Sequence, residues 1–365
     1  MSKKDDKIKF YSLKPILKEN ADYNMIIGER SNGKTYSVEE YSIYNFAEDR
    51  GQLAIVRRWD EDFKGKRGQT YFDALVKNGV VEKATKGEWT DIYYYSSRWF
   101  FCKWDNDKRI TQERPFAYAF SLNAGEHDKS TSYPEITTIL FDEFITRDTY
   151  IPNEFVDFMN ILSTIIRYRD NVKIFMLGNT VNKYCPYFKE FGIKNISKMQ
   201  QGDIDVYTYG ESDLKVAVEY CATLSKSKKS NKYFAFDNPS LQMITSGAWE
   251  VSLYPHLPHK YKPKDVIFTY FIEFGDDLLQ CEIVQQVELT FTYIHRKTTP
   301  IKESTDMVFS RDFSPSPYHR RRISKPKDNI GKTIWWYYAN EKVFYQDNDV
   351  GEVVRNYVKW CNMGE

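Results

Sequence analysis

Apolar residues along the chain gather in short runs closed by turn residues. "MII" (Met25–Ile27) ends at Gly28. "GQLAIVRRW" (51–59), "ITTILFDEF" (136–144), "NVKIFMLGNT" (171–180) and "DIDVYTYG" (203–210) follow. Near-continuous apolar runs of this length are expected of parallel strands buried on both faces. These five runs predict one sheet. After the first, Val38, Tyr41, Ile43, Tyr44 and Phe46 fall at helical spacing. Between the second and third, "EWTDIYYYSSRWFFCKWDNDKRI" alternates polar and apolar around turn residues and predicts an inserted β-hairpin. The pattern then changes. "SKSKKSNKYFAF" is polar and lysine-rich, and a short helical segment is predicted around "LQMITSGAWEVSLY". Beyond it, "KDVIFTYFIEFGDDLLQCEIVQQVELTFTYIHRK" predicts three strands in a meander. The expected organisation is an α/β domain over 1–222, a linker over 223–256 and an α+β domain over 257–365.

The segment between the first run and the helix carries the first chemistry. Gly28-Glu29-Arg30-Ser31-Asn32-Gly33-Lys34-Thr35 fits G-x-x-x-x-G-K-[ST], the P-loop pattern, in the strand–loop–helix context it requires. Such a loop turns its backbone N–H groups toward an anion at a helix N-terminus, where the dipole is positive. Gly28, Arg30, Ser31, Asn32, Gly33, Lys34 and Thr35 are the expected nucleotide cradle, with ATP as ligand. Lys34 would reach the β- and γ-phosphates, and Thr35 would offer its hydroxyl to Mg²⁺.

The run "ITTILFDEF" supplies the second half of such a site. Its strand ends in Asp142-Glu143, a Walker B arrangement. Asp142 would hold Mg²⁺ and Glu143 would orient and deprotonate the attacking water. Ligands in open α/β sheets sit at the carboxyl ends of strands. Asn179, closing the next strand, is therefore expected near the γ-phosphate. A glutamate directly after the Walker B aspartate indicates a P-loop NTPase of the additional-strand, catalytic-glutamate type. Enzymes of that type commonly form rings in which one subunit lends a cation to the next subunit's site. Arg167 is the leading candidate, with Arg169, Lys129 and Arg147 behind it.

Composition narrows the rest. The 365 residues carry a net charge of +1, so no global attraction to polyanions operates. Mean hydropathy is −0.62 and no apolar run approaches a bilayer span, so no membrane role is expected. The N-terminus lacks the apolar core of a secretory signal. Five scattered cysteines without C-x-x-C spacing read as reduced thiols. Aromatics at 16% follow what A·T-rich codons encode and support no binding claim. Local basic segments remain. "FKGKRGQT" places Lys64, Lys66 and Arg67 among glycines and reads as a flexible loop able to follow a DNA backbone without reading bases. "YHRRRISKPK" (318–327) is the densest positive run.

Together, "YNMIIGERSNGKT", "TTILFDEF", "RYRDNVKIFMLGNT" and "CPYF" resemble the genome-packaging ATPases of small short-tailed phages with protein-primed DNA. The resemblance spans roughly the first 220 residues, about one domain. It implies an arginine acting in trans at Arg167, an inter-subunit role for Lys129 and a P-loop arginine at Arg30. It further implies a homopentameric ring at the portal vertex of an empty capsid, in the host cytoplasm, driving double-stranded DNA inward with ATP, with a structural packaging RNA as a possible partner. The C-terminal domain of that family resembles an RNase H-like nuclease without its nuclease acids. In "VIFTYFIEF", Thr269 and Phe271 stand mid-strand where two-metal chemistry needs an aspartate, and only Glu273 follows, so nuclease activity is not expected. Two other classes fit the motifs: another ring-forming nucleic-acid translocase or helicase, and a scaffold that only switches shape with nucleotide.

Overall fold

The computed structural model describes residues 10–123, 132–147, 150–196, 198–222, 249, 252–257, 260–287 and 289–362. The chain divides into two compact units, Met1–Trp249 and Glu250–Glu365.

The first unit is built on a ten-stranded sheet. Its central strands are β1 (Tyr23–Gly28), β2 (Gln52–Arg57), β6 (Ala117–Ser121), β7 (Ile136–Asp142), β8 (Lys173–Asn179) and β10 (Leu214–Tyr220). They run parallel in the spatial order β6-β2-β7-β8-β1-β10. β8 thus lies between the P-loop strand β1 and the acid-bearing strand β7. Both faces of this sheet are covered, which explains the unbroken apolar runs. Met25 and Ile27 of β1 pack with Phe158, Ile161, Leu162 and Ile165 of α6 (Glu154–Ile166). Ile26, between them, joins Val38, Ile43 and Phe46 of α2 (Lys34–Ala47) on the opposite face. Alternation along one strand feeds two separate cores.

Two expectations about the sheet change. β9 (Ile204–Tyr209) is a strand, but it is the antiparallel edge neighbour of β10 and not one of the parallel strands. β10 and β6, which are not among the five expected strands, lie beside β1 and β2. The inserted segment is not a lone hairpin. It forms β3 (Asp91–Tyr95), β4 (Arg98–Asp105) and β5 (Lys108–Thr111), and β4 joins the main sheet through Arg98↔Tyr118 and Trp99↔Ala117. Ser96-Ser97 and Asn106-Asp107 all have positive φ, as two-residue hairpin turns require. The buried Trp99 indole donates to the Gly68 carbonyl at 2.8 Å, tying this extension to the turn after β2.

The second unit holds a six-stranded sheet. β11 (Val266–Phe274), β12 (Asp277–Gln285) and β13 (Thr290–Arg296) form the expected meander. β14 (Met307–Ser310) lies parallel to β11, β15 (His319–Arg320) parallel to β14, and β16 (Val343–Tyr345) parallel to β13. Helices Asn329–Ala339 and Asn348–Asn362 accompany the sheet. Most of the stretch expected to be a linker lies outside the described residues. Of the part that is described, Trp249 packs on Tyr220, while Tyr254 packs on Tyr345 and bonds Glu352 at 2.6 Å.

Candidate functional site

β1 delivers the chain into a cleft of about 600 Å³ lined by Arg30–Tyr36, Glu39, Arg57, Tyr71, Asp142, Glu143 and Leu177–Asn179. Two glycines are dictated by geometry. A Cβ on Gly28 would stand 2.9 Å from that of Cys221, and Gly33, the residue before α2, has φ +95°. The loop closes on itself. Buried Asn32 accepts from the Lys34 amide at 3.2 Å and from its Nζ at 3.3 Å. Lys34 Nζ also reaches Glu29 O at 2.7 Å, Gly28 O at 3.4 Å and Asn179 Oδ1 at 3.4 Å. Burial lowers the lysine pKa, and nearby acidic groups work against that fall. Arg30 and Ser31 are exposed at the loop's outer turn.

β7 brings the acids. Thr35 Oγ1 donates to Asp142 Oδ1 at 3.3 Å. A hydroxyl and a carboxylate side by side suit a hard cation such as Mg²⁺, which takes oxygen ligands and few protein groups. Among the described residues no cluster of three or more His, Cys, Asp or Glu could hold a metal. Burial raises the Asp142 pKa while Arg57 pulls it down. Glu143, at φ +61°, follows in the turn with its side chain 59% exposed. Lys34, Thr35, Asp142, Glu143 and Asn179 thus line one cleft.

Sequence reading overlooked the arginines that end β2. Arg57 pairs with Asp142 at 2.6 Å and Glu143 at 3.2 Å. Arg58, 8% exposed, faces the other way. It forms two 2.7 Å bonds with Glu154 and donates to the carbonyls of Glu143 and Phe144 at 3.1 Å each. Tyr187 and the Ile151 amide complete the bonding of Glu154. Bidentate pairing of this kind fixes orientation as well as charge. Arg58 therefore holds the turn that presents Glu143. Glu39, on α2, is buried beneath the cleft, and burial raises its pKa well above the usual carboxylate range. The visible signal was "RRW" at the end of an apolar run, two cations where a buried strand stops.

The candidates for action in trans separate. Arg167 ends α6 with φ +39° and precedes β8. Standing just before the strand that ends in Asn179, it is expected from the sequence to lie near the nucleotide edge. Because β8 runs parallel to β1, its start lies at the opposite edge, about 20 Å from Asn179 at ~3.3 Å per residue. Arg169 is a structural clip. Its guanidinium donates to the carbonyls of Tyr133, Pro134, Ile136, Ile165 and Ile166, joining the start of β7 to the end of α6. Arg147 is exposed beyond the acids, and Lys129 lies outside the described residues.

The basic segment after β2 is not a flexible glycine loop. Gly65 leads into the short helix α3 (Lys66–Gln69), and Gly68 is buried against Tyr94. Lys64 pairs with Asp60 at 2.5 Å and Arg67 donates to Glu61 O at 3.2 Å, near Asp62. In the second unit, Arg320 of the densest basic run pairs with Asp328 at 2.8 Å, and Arg321 stacks 3.9 Å over Phe313. Asp277 there is ion-paired to Arg296.

A glycine loop between a buried strand and a helix, facing an acid-ended strand of the same sheet, defines a P-loop fold. The sequence profile of the Podovirus DNA encapsidation protein (Gp16) family matches residues 5–233, and the chain belongs to that family. It is 34% identical over 173 residues to the DNA packaging protein of Bacillus phage B103, covering 47% of this chain and 48% of that one. It is 30% identical over 191 residues to the DNA packaging protein of Bacillus phage phi29, covering 52% of each. The chain thus spans about half the length of the curated relatives it matches. The structure described as the bacteriophage Phi-29 viral genome packaging motor assembly shares the fold, with a TM-score of 0.59 at 21% identity over 95% of this chain and 97% of that one. No helix among the described residues is long and apolar enough to cross a membrane.

Proposed function

We propose that this protein is an ATP-hydrolysing motor that moves double-stranded DNA into a preformed capsid. The observation that carries the hydrolytic part is the convergence of Lys34, Thr35, Asp142, Glu143 and Asn179 on one cleft. When bound there, Mg²⁺·ATP supplies the phosphoryl group to be transferred and the charge that Asp142 and Thr35 would hold. The chain's own residues do the rest. The loop amides and Lys34 bind the phosphates, Asp142 and Thr35 hold the cation, and Glu143, presented by the Arg58-held turn, takes the proton of the attacking water. With β8 between β1 and β7, the fold suits the additional-strand, catalytic-glutamate class.

DNA as cargo is supported by family membership and by the relatives named for DNA packaging. To this reading we add a homopentameric ring at the portal vertex, with a structural packaging RNA as a candidate partner. The far-edge position of Arg167 suits action on a neighbouring subunit, since its own cleft is out of reach. We read the second unit as a vestigial RNase H-like domain. A meander whose first strand is flanked by a parallel fourth supports that reading, and Thr269 and Phe271 at mid-strand speak against cutting.

The test is ATP turnover by the purified chain with and without double-stranded DNA and empty proheads, beside a Lys34→Ala variant. Turnover stimulated by DNA and proheads and absent from the variant is expected. Turnover that survives Lys34→Ala would assign the hydrolysis to another site or to a contaminant. Nucleotide binding without turnover under any condition would favour the switched scaffold.

A further inference from the structure

We propose that Arg57 is a positioning residue that governs metal entry. Its guanidinium is a built-in counter-cation for Asp142 and Glu143, and a divalent cation is held by Asp142 only as Arg57 lets go. The inference rests on the nucleotide site proposed above and deepens it.

The sheet builds this arrangement. β2 lies directly beside β7, with Val56 opposite Phe141, so the next residue of β2 reaches the next of β7. Strand alternation sends Arg57 to the cleft and Arg58 to Glu154 on the other face. One guanidinium nitrogen of Arg57 sits 2.6 Å from Asp142 Oδ2 and the other 3.2 Å from Glu143 Oε2. The remaining Asp142 oxygen faces Thr35 Oγ1. Thr35, Asp142, Arg57 and Glu143 therefore form one connected chain of contacts. The carboxylate expected to hold a metal and the expected general base are both tied to a single guanidinium, and Thr35 joins them through Asp142.

The Arg57–Asp142 pair is sheltered, while Glu143 stands largely in solvent. The Arg57 side chain is 20% exposed and that of Asp142 7%. Opposite charges so placed attract more strongly than at the surface, and separating them is correspondingly harder. The Tyr71 ring, 5.9 Å from the guanidinium carbon, gives Arg57 an aromatic face along which to settle. Adding a divalent cation while Arg57 stays would set three positive charges against two carboxylates, one of them buried. Displacement of Arg57 from Asp142 then frees Glu143 as well, so metal arrival and release of the general base become one event. A site built this way keeps the base restrained until metal and nucleotide are both present.

The experiment titrates Mg²⁺ against binding of a fluorescent ATP analogue to the full chain, using the parent, Arg57→Gln and Arg57→Lys. In Arg57→Gln the half-saturating Mg²⁺ concentration should fall about tenfold, a change of ~1.4 kcal/mol. Affinity for the analogue at saturating Mg²⁺ should stay within about threefold of the parent, a smaller change on the same scale. Arg57→Lys, with a single ammonium in place of a two-pronged fork, should fall between the two. An unchanged or raised half-saturation in a variant with the parent's circular dichroism and Tm overturns the inference. So does a large loss of analogue affinity at saturating Mg²⁺, which would make Arg57 a phosphate ligand instead. If Arg57→Gln does not fold, Arg57→Lys decides alone. If the parent itself binds no analogue, the nucleotide reading falls and this inference with it.

Discussion

The two edges of the central sheet in the first unit use arginine in opposite ways. At the carboxyl edge, Arg57 is held by acids that a metal would claim, so its bonds stand in competition with chemistry. At the amino edge, Arg169 is held by five backbone carbonyls that nothing in the proposed mechanism needs, so its bonds serve only to fasten β7 to α6. Two residues away, Arg167 ends the same helix in a left-handed conformation beside Tyr168, which is fully exposed. The same side chain is a counter-ion, a clip or an exposed helix-end residue according to where the fold sets it. An arginine in a site-like motif is therefore weak evidence of function until its partners are known.

The sharpest way to break this contrast is to delete the exposed arginine at the end of α6. Arg167→Ala should bind ATP and lose ~10³-fold or more in turnover, as for other arginines acting in trans. Mixing it with Glu143→Gln should restore some activity, because junctions then form between an intact base and an intact arginine. Mixtures that stay inactive at every ratio, in rings shown to assemble, would move Arg167 to a structural role.

Glu143→Gln probes the carboxyl edge itself. Nucleotide binding should persist while turnover falls by at least ~10²-fold, as for loss of a general base. Parent-level hydrolysis by this variant would remove Glu143 from the chemistry.

Arg169→Ala should do something different in kind. It should cost ~1–3 kcal/mol of stability, because several carbonyls lose a charged donor. ATP affinity should not move. A thermal melt and a nucleotide titration read both, and a stable variant that fails only in turnover would return Arg169 to the list of trans cations.

The smallest effect is expected from Lys64, Lys66 and Arg67 changed together to alanine. Lys64 and Arg67 already have acidic neighbours in their own turn. The salt slope of DNA binding should therefore fall by only ~1 rather than one unit per residue. A fall of three would mean that DNA displaces the acids, and no change would make this turn ordinary surface.

Much of the site was legible because P-loop chemistry is local. Glycines at Gly28 and Gly33, the lysine and the hydroxyl must follow one another for a loop to wrap a phosphate, so spacing alone exposes them. Asp142 and Glu143 were legible because an apolar run ending in acids is unusual. Arg57, Arg58, Glu154 and Tyr187 were not, since their roles depend on which strand lies beside β7 and on helices and loops far along the chain. The position of Arg167 was misread because proximity to a strand in sequence does not say which end of that strand is near.

By itself the sequence determined β1, β2, β7 and β8, the glycine loop, the acid pair and the meander of the second unit. Each is written in a stretch short enough for periodicity and steric demand to act within it. Only the tertiary structure decided the strand order β2-β7-β8-β1, the flanking β10 and β6, and the division of labour among the arginines. The physical reason is that a parallel sheet joins residues separated by long crossovers. Which charges meet is fixed by register between strands and not by anything either strand carries alone.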